Sequence, residues 1–572
     1  MIKILSIEET RAVEEAVDSE LLSYAQMMEN AGCATAARAQ ALIEERESPR
    51  VTILVGAGNN GGDGLVAAKF LAEAGKNIEV RLYMLTRRDD EDANFSAIAE
   101  LGLFTAYAED DKDHRVLKNM VASADLVVDA LFGIGVRLPL RDEPARILRS
   151  VNQVLNALKA GEPQEQTTSP ALHFSSPQPY FPTVLAVDCP SGVNCDTGEL
   201  DSNTIPADET ITFIATKTGL ITFPAAASVG RLSVANIGIP DDFHLLKDNN
   251  HILADARLIK SYLPLRNTDS NKGTFGKVMI VAGSLNYSGA PSLSAIAAYR
   301  SGAGLVTIGV PHSIVNTVAS RHLEPTFIAL PHDMGVISDK ATTIIRENIE
   351  SYSALLIGPG MGQEETTGKF LKSLLHDPED IKSSANVRSI GFHKAENAQT
   401  DDDNGKEDAL PPLVIDADGL NLLAKIDEWW KLLPSNTIIT PHPGEMGRLC
   451  GISAKELQAN RWEIIEEKAK LWDIHVVLKG AHTLIANPAG EITALPFKND
   501  ALATAGTGDV LAGLITGLVA QNMDTYQAAV CGGYIHGLAG EIATRHQGNP
   551  RSVIASDVLN AIGEAFAMIG SA

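Results

Sequence analysis

The sequence predicts an α/β protein of two domains, and three observations carry that expectation. A chain of 572 residues exceeds the size at which a single core keeps growing. Short β-branched runs alternate with helical segments at 51–55, 126–129, 184–188 and 211–214, and the same rhythm returns at 278–282, 355–357, 413–416, 437–440 and 476–479. The last strand-like run of the first series is followed by a break near 240–251, which places the domains at residues 1–240 and 241–572. Apolar strands separated by helices imply a mainly parallel sheet in each half, with functional residues just beyond the carboxyl ends of the strands.

Composition narrows the function classes. Hydrophobic residues at 45% and charged residues at 21% are those of an ordinary globular protein, and 47 glycines suit the tight turns of α/β enzymes. A formal charge of −25 opposes general attraction to nucleic acid or to an anionic membrane. Five scattered cysteines, Cys33, Cys189, Cys195, Cys450 and Cys531, form no CxxC pair and fit a reducing compartment. The first twenty residues carry acids and lack the apolar core of a signal peptide, and no apolar run reaches bilayer length; a cytoplasmic location is expected. Two polar stretches, 161–182 and 376–412, read as surface insertions, the second disordered and carrying a solvated acidic run from Asp401 to Asp408.

The second half holds the strongest motif, Ala505-Gly506-Thr507-Gly508-Asp509. Apolar residues then fall at Val510, Leu511, Leu514, Ile515, Leu518 and Val519, so the glycines form the turn into a helix. Unpaired amides at a helix start hold a phosphoryl group, and Asp509 can take the proton of an attacking hydroxyl. Taken alone, the segment reads equally well as a turn with Asp509 as a capping residue. Four companions, each directly after a strand-like run, favour a shared cleft: Lys479-Gly480-Ala481-His482-Thr483, Thr440-Pro441-His442-Pro443-Gly444-Glu445, Asp416-Ala417-Asp418-Gly419-Leu420-Asn421 and Ile357-Gly358-Pro359-Gly360-Met361-Gly362. The lysine, glycine turn and hydroxyl of the first suit nucleotide phosphates.

With Asn271-Lys272-Gly273-Thr274-Phe275-Gly276, Ala282-Gly283-Ser284 and Ser288-Gly289-Ala290, these motifs resemble the ribokinase-like superfamily, and within it the NAD(P)H-hydrate dehydratases. The resemblance implies a C-terminal ribokinase-like α/β/α fold and dehydration of NADHX and NADPHX, the hydrated forms of NADH and NADPH. ADP or ATP would be the co-substrate, with Mg2+ as cofactor. It also implies that Lys479, Gly480, Ala481, His482, Thr483 and Gly508 contact the adenine nucleotide. Ala290, Gly360, His442 and Asp509 would contact the hydrate, with Asp509 the catalytic base.

In the first half, Gly56-Ala57-Gly58-Asn59-Asn60-Gly61-Gly62-Asp63-Gly64 follows a strand and precedes a helical segment. It contains GxGxxG, but no clear acidic residue ends the next strand, where Arg87 and Arg88 precede Asp89; this weakens a dehydrogenase reading. Side-chain carbonyls and a carboxylate beside phosphate-binding amides suit a hard cation instead. Asp129-Ala130-Leu131-Phe132-Gly133-Ile134-Gly135 and Asp188-Cys189-Pro190-Ser191-Gly192 add acids and a hydroxyl at further strand ends. The set resembles the NAD(P)H-hydrate epimerase domain, a Rossmann-like three-layer α/β/α fold. That resemblance implies K+ on Asn60, Asp129 and Ser191. It places the hydrate on Asn59, Asn60, Gly61, Gly62, Asp63, Gly133, Ile134, Gly135, Val136, Arg137, Leu138, Pro139 and Asp188, with Asp188 catalytic and Cys189 inert packing.

Both resemblances name one metabolite, which favours a bifunctional enzyme assembled as a homo-oligomer. Two other readings stay open: a vitamin or sugar kinase joined to an unrelated Rossmann-like domain, and a non-catalytic first half serving as a nucleotide-binding scaffold.

Overall fold

The structure, a computed structural model, describes residues 1–74, 77–88, 92–160, 181–376 and 410–572. Nearly all of both expected insertions, the acidic run 401–408 and Asp89 lie outside the described residues. The chain forms two compact units, Ile2–Asn249 and Asn250–Ala572. Among the described residues no helix is long and apolar enough to cross a membrane.

In the first unit the strands are β1 (Ile2–Leu5), β2 (Arg50–Val55), β3 (Glu79–Met84), β4 (Phe104–Tyr107), β5 (Leu126–Ala130), β6 (Thr183–Val187), β7 (Glu209–Phe213), β8 (Thr216–Lys217) and β9 (Arg231–Ala235). Seven of them form a sheet in the order β4-β3-β2-β5-β6-β7-β9, every neighbour parallel, and β1 pairs in parallel with β8. Alternation along β2 makes the sheet a middle layer. Ile53 and Val55 enter one apolar cluster with Leu65 and Ala68, whereas Leu54 enters another with Met120 and Leu148. Strand order reverses between β2 and β5, which opens a crevice beyond their carboxyl ends.

The second unit contains β10 (His251–Leu253), β11 (Lys277–Val281), β12 (Leu305–Pro311), β13 (Thr326–Leu330), β14 (His332–Asp333), β15 (Val336–Ile337), β16 (Ala354–Ile357), β17 (Leu413–Ile415), β18 (Ile438–Ile439), β19 (His475–Leu478), β20 (Leu484–Ala486) and β21 (Ile492–Ala494). Here the order is β13-β12-β11-β16-β17-β18-β19-β20-β21-β10, parallel as far as β19, with β20 antiparallel to both its neighbours. The reversal lies between β11 and β16. Every strand-like run read from the sequence is a strand, whereas β1, β3, β4, β8, β9, β10, β12, β13, β14, β15, β20 and β21 escaped that reading.

Helix Thr507–Val519 begins after Gly506, whose φ of +91° favours glycine, and lies along helix Ala290–Arg300. Glycines set how closely they approach: a Cβ at Gly513 would lie 2.1 Å from the Ser294 carbonyl oxygen, and one at Gly517 2.0 Å from Ser301 Oγ. This contact fixes where both helix starts stand. Gly513→Val is expected to destabilise the second unit by about 3 kcal/mol or more through overpacking against backbone, read as a lower unfolding temperature in calorimetry; an unchanged transition would show that the helices do not need this approach.

Candidate functional site

In the first unit the strand-end loops converge on a cavity of about 340 Å³. Gly56 lies so close to the chain after β5 that a Cβ there would stand 1.8 Å from Leu131 O. The crevice at the strand reversal is thereby floored by the loops after β2 and β5. Of the residues singled out above, Asn59, Asn60, Asp63, Gly133, Ile134, Gly135, Val136 and Asp188 line the cavity. Gly61 and Gly62 do not. They admit close packing instead, Gly61 against Gly56 O and Gly62 against the Met28 sulfur. Arg137, Leu138 and Pro139 are also absent from the lining.

Asp188 follows β6 with a φ of +63°, a conformation Asp tolerates. Its Oδ1 accepts from Lys217 Nζ at 2.6 Å and Thr212 Oγ1 at 3.0 Å, and Lys217 is only 1% exposed. Burial works against the Lys217 charge, but Asp188 overrides it and holds the ammonium above its ordinary value. Lys217, Glu14 and Arg11 also line the cavity and carry no local sequence signal. Burial first, then the charge of Asp188, raises Asp63 well above the usual carboxylate range and also raises Glu14. Lys217 thus faces several acids.

Asp129, fully buried, accepts from Ser191 Oγ at 2.6 Å and from Ser191 N at 2.8 Å, and Ser191 Oγ accepts from Phe132 N at 3.0 Å. Burial raises the Asp129 pKa, and the bonds from Ser191 oppose that rise. Asn60 is buried with neither amide atom partnered. Gly133 joins Asn60 to Asp188, since a Cβ at Gly133 would sit 3.4 Å from Asn60 Cγ and 3.3 Å from Asp188 Oδ2. Cys189 is buried in a small apolar cluster with Val193, Cys195 and Leu220.

In the second unit a cavity of about 430 Å³ is lined by His442, Lys479, Gly480, Ala481, Thr483 and the loop from Ala505 to Gly508. His482 is not brought there. Its backbone N–H bonds Phe497 O, its ring nitrogen faces Leu495 O at 3.1 Å, and burial lowers its pKa to about 4. Sequence reading missed Phe497, Asn499 and His536 on the same walls; His536 lies mid-helix in an apolar segment, where nothing distinguishes it from core.

Lys479 Nζ bonds Asp416 Oδ1 at 2.7 Å and stands 3.9 Å from Glu445 Oε2. A Cβ at Gly508 would lie 3.5 Å from Lys479 Nζ and 3.6 Å from Asp416 Oδ2, which places the glycine backbone directly against this ion pair. Beside them, burial and then the Asp416 charge push Asp509 up to about 7, with Lys479 opposing. Ser294 Oγ donates to Asp509 O at 3.0 Å, tying the start of one helix to its neighbour, which Ala290 begins. Gly360, at φ +62°, packs against Ala290: a Cβ there would lie 3.1 Å from Ala290 Cβ. His442 caps helix Pro443–Cys450, its Nδ1 accepting from Gly444 N and Glu445 N. Burial, then Lys479 and Arg448, lowers its pKa, so the ring favours its neutral form.

A buried base beside a lysine, at the head of a glycine-started helix, is equipped for phosphoryl transfer to a hydroxyl. Residues 24–219 match the model of the YjeF-related protein N-terminus, and residues 278–381 and 383–563 match that of NAD(P)H-hydrate dehydratase. The bifunctional NAD(P)H-hydrate repair enzyme of Moorella thermoacetica is 33% identical over 540 residues, 93% of this chain and 91% of its own length. The chain belongs to the bifunctional NAD(P)H-hydrate repair enzymes. The Escherichia coli repair enzyme is 30% identical, with 89% of this chain and 84% of that one covered. Among solved structures, the ADP/ATP-dependent NAD(P)H-hydrate dehydratase of Bacillus subtilis, co-crystallised with ATP and Mg2+, is 27% identical over 56% of this chain and 98% of its own, with a TM-score of 0.44.

Within this repair-enzyme chain, the Lys217–Asp188 pair sets a stability test. Lys217→Met removes the partner of a largely buried carboxylate and is expected to cost about 3–5 kcal/mol. Adding Asp188→Asn should recover much of that loss in chemical denaturation. Additive losses would show that the two groups do not support one another.

Proposed function

We propose that the first unit, over residues 1–240, interconverts the R and S epimers of NADHX and NADPHX, and that the second, over residues 241–572, dehydrates the S form to NADH or NADPH at the expense of ADP or ATP. The observation that carries the second assignment is Asp509, poised at about 7 beside Lys479 at the helix start. As a carboxylate, Asp509 takes the proton of the ring hydroxyl while that oxygen attacks the terminal phosphorus of the nucleotide. Lys479 offsets charge on the transferring group, and the amides after Gly506 cradle it. The lone pair of the ring nitrogen then expels phosphate, and loss of a proton from the adjacent carbon restores the dihydropyridine. Mg2+ would be held by the nucleotide phosphates and would offset their charge during transfer.

In the first unit Asp188, anchored by Lys217 through one oxygen, presents the other toward Gly133 and the cavity. There it moves the proton as the carbinol carbon loses and regains its oxygen, or as the ring opens and recloses. The residues fit K+: Asn60 has a buried carbonyl oxygen without a partner among the described residues, beside Gly133 in the loop that follows Asp129, and Phe132 of that loop bonds Ser191. Asn60, Asp129 and Ser191 would hold the potassium ion, which would supply fixed positive charge near the carboxylates.

Purified protein given ADP, Mg2+ and chemically prepared hydrate should recover the reduced-nicotinamide absorbance; a plain sugar or vitamin kinase would leave it unrecovered. Asp509→Asn is expected to lower dehydration by about 10²-fold or more, while calorimetry still records nucleotide binding. Its parent should lose kcat/KM roughly tenfold per pH unit below about 7, because protonation removes the base. A flat profile there would assign the proton transfer elsewhere. Asp188→Ala should leave pure R epimer unconverted, and conversion at the parent rate would return the first unit to a binding role.

A further inference from the structure

A second cleft, of about 460 Å³, opens beside the Asp509 site and is lined by Gln363, Asn421, Ala424, Lys425 and Arg448. It contains two cations and no carboxylate, in a chain whose formal charge is −25. Neither cation is paired with an acid among the described residues. Lys425 Nζ donates to the Gln363 carbonyl at 3.2 Å and Arg448 Nε to Asn421 Oδ1 at 2.8 Å, both neutral acceptors. The terminal guanidinium nitrogens of Arg448 have no acceptor among the described residues, and neither side chain forms an ion pair there. A pair of exposed cations held by uncharged partners, in a cleft lined by no carboxylate, is built to meet an anion.

Two elements link the cleft to the dehydratase site. On one, Asp418 accepts from Gly362 N at 2.9 Å and from Gln363 Nε2 at 2.8 Å, and the charge of Asp418 helps raise Asp509. On the other, Arg448 lies on the helix that His442 caps, and it contributes to lowering the His442 pKa. The nucleotide cavity is lined instead by the loops around Lys479 and Gly506. Resting on the assignment of the second unit to NAD(P)H hydrate, we propose that Lys425 and Arg448 bind phosphate groups of the dinucleotide hydrate. Its ring then reaches Asp509 while its anionic end stays in this cleft, apart from the phosphates of ADP.

The test is steady-state dehydration at saturating Mg-ADP with NADHX and with NADPHX, using the full chain. In the double variant Lys425→Ala with Arg448→Ala, KM for hydrate should rise on the order of tenfold or more, with kcat within about twofold and KM for ADP unchanged. Lys425→Arg should keep the parent KM. A loss shared by both hydrates assigns the pyrophosphate, and a loss confined to NADPHX assigns the 2′-phosphate. Unchanged hydrate KM, or a rise in the ADP KM instead, overturns the proposal. Calorimetric binding of NADPH to the same proteins separates the two levels. A parent that bound NADPH through these cations yet dehydrated nothing would overturn the catalytic reading and leave the cleft standing, whereas equal NADPH affinity in parent and variant would remove the cleft.

Discussion

Each unit is organised around one lysine paired with an aspartate just past the end of a parallel strand: Lys217 with Asp188 after β6, and Lys479 with Asp416 after β17. Around each cation stand more acids than it can neutralise, Asp63 and Glu14 in the first unit, Glu445 and Asp509 in the second. Burial favours the neutral form of a carboxyl, and a like charge nearby adds to that preference. The carboxyls that lack a hydrogen bond to the lysine therefore titrate high. In the second unit burial and that crowding lift Asp509 to about 7, where it can act as a base near neutral pH.

The pairing depends on backbone geometry that few side chains would permit. Gly358, at φ +124°, passes Asp416 so closely that a Cβ would lie 1.9 Å from its carbonyl oxygen. Ala417, at φ +53°, separates two acids that serve different ends. Asp416 turns to Lys479, and Asp418 turns to the Gly362 amide and the Gln363 side chain. A two-residue spacing thus divides one loop between the base and the hydrate cleft. Strain of this kind persists where the surrounding contacts over-determine it, and here those contacts are the loops flanking the reversal of the strand order.

Much of this was legible in the sequence because it is local. The β-branched runs at 51–55 and 476–479 became strands because side chains buried on both faces leave an apolar signature. The loop ending in Asp509 was legible because glycines and a helical apolar spacing adjoin it. Lys217 was not, since it lies in the two-residue strand β8 and meets Asp188 only through the tertiary fold. Glu14 and His536 were hidden for the same reason, each on a helix whose other residues explain its pattern. His482 failed in the opposite direction: its neighbours in the motif line the cavity, but its own backbone, at φ +49°, turns the ring inward to Leu495. A motif specifies a loop more reliably than it specifies where each side chain of that loop points.

Exposure of the lysine separates what the two pairs can do. Lys217, at 1% exposed, spends its donors on Asp188 Oδ1, Thr212 Oγ1 and Phe213 O, so it can fix a carboxylate but offers nothing to a ligand. Lys479, at 20%, lines the cavity of the second unit and has Asp416 as its hydrogen-bond partner, with Glu445 farther off. Its remaining donors can therefore meet a phosphate. An epimerisation needs an anchored carboxylate and no group transferred from a second molecule, which the sealed pair supplies. A dehydration driven by phosphorylation needs a cation that reaches a nucleotide and an acid left unpaired to take a proton, and an open pair beside Asp509 provides both. The same charged pair, sealed in one sheet and open in the other, thus accounts for two chemistries on one metabolite.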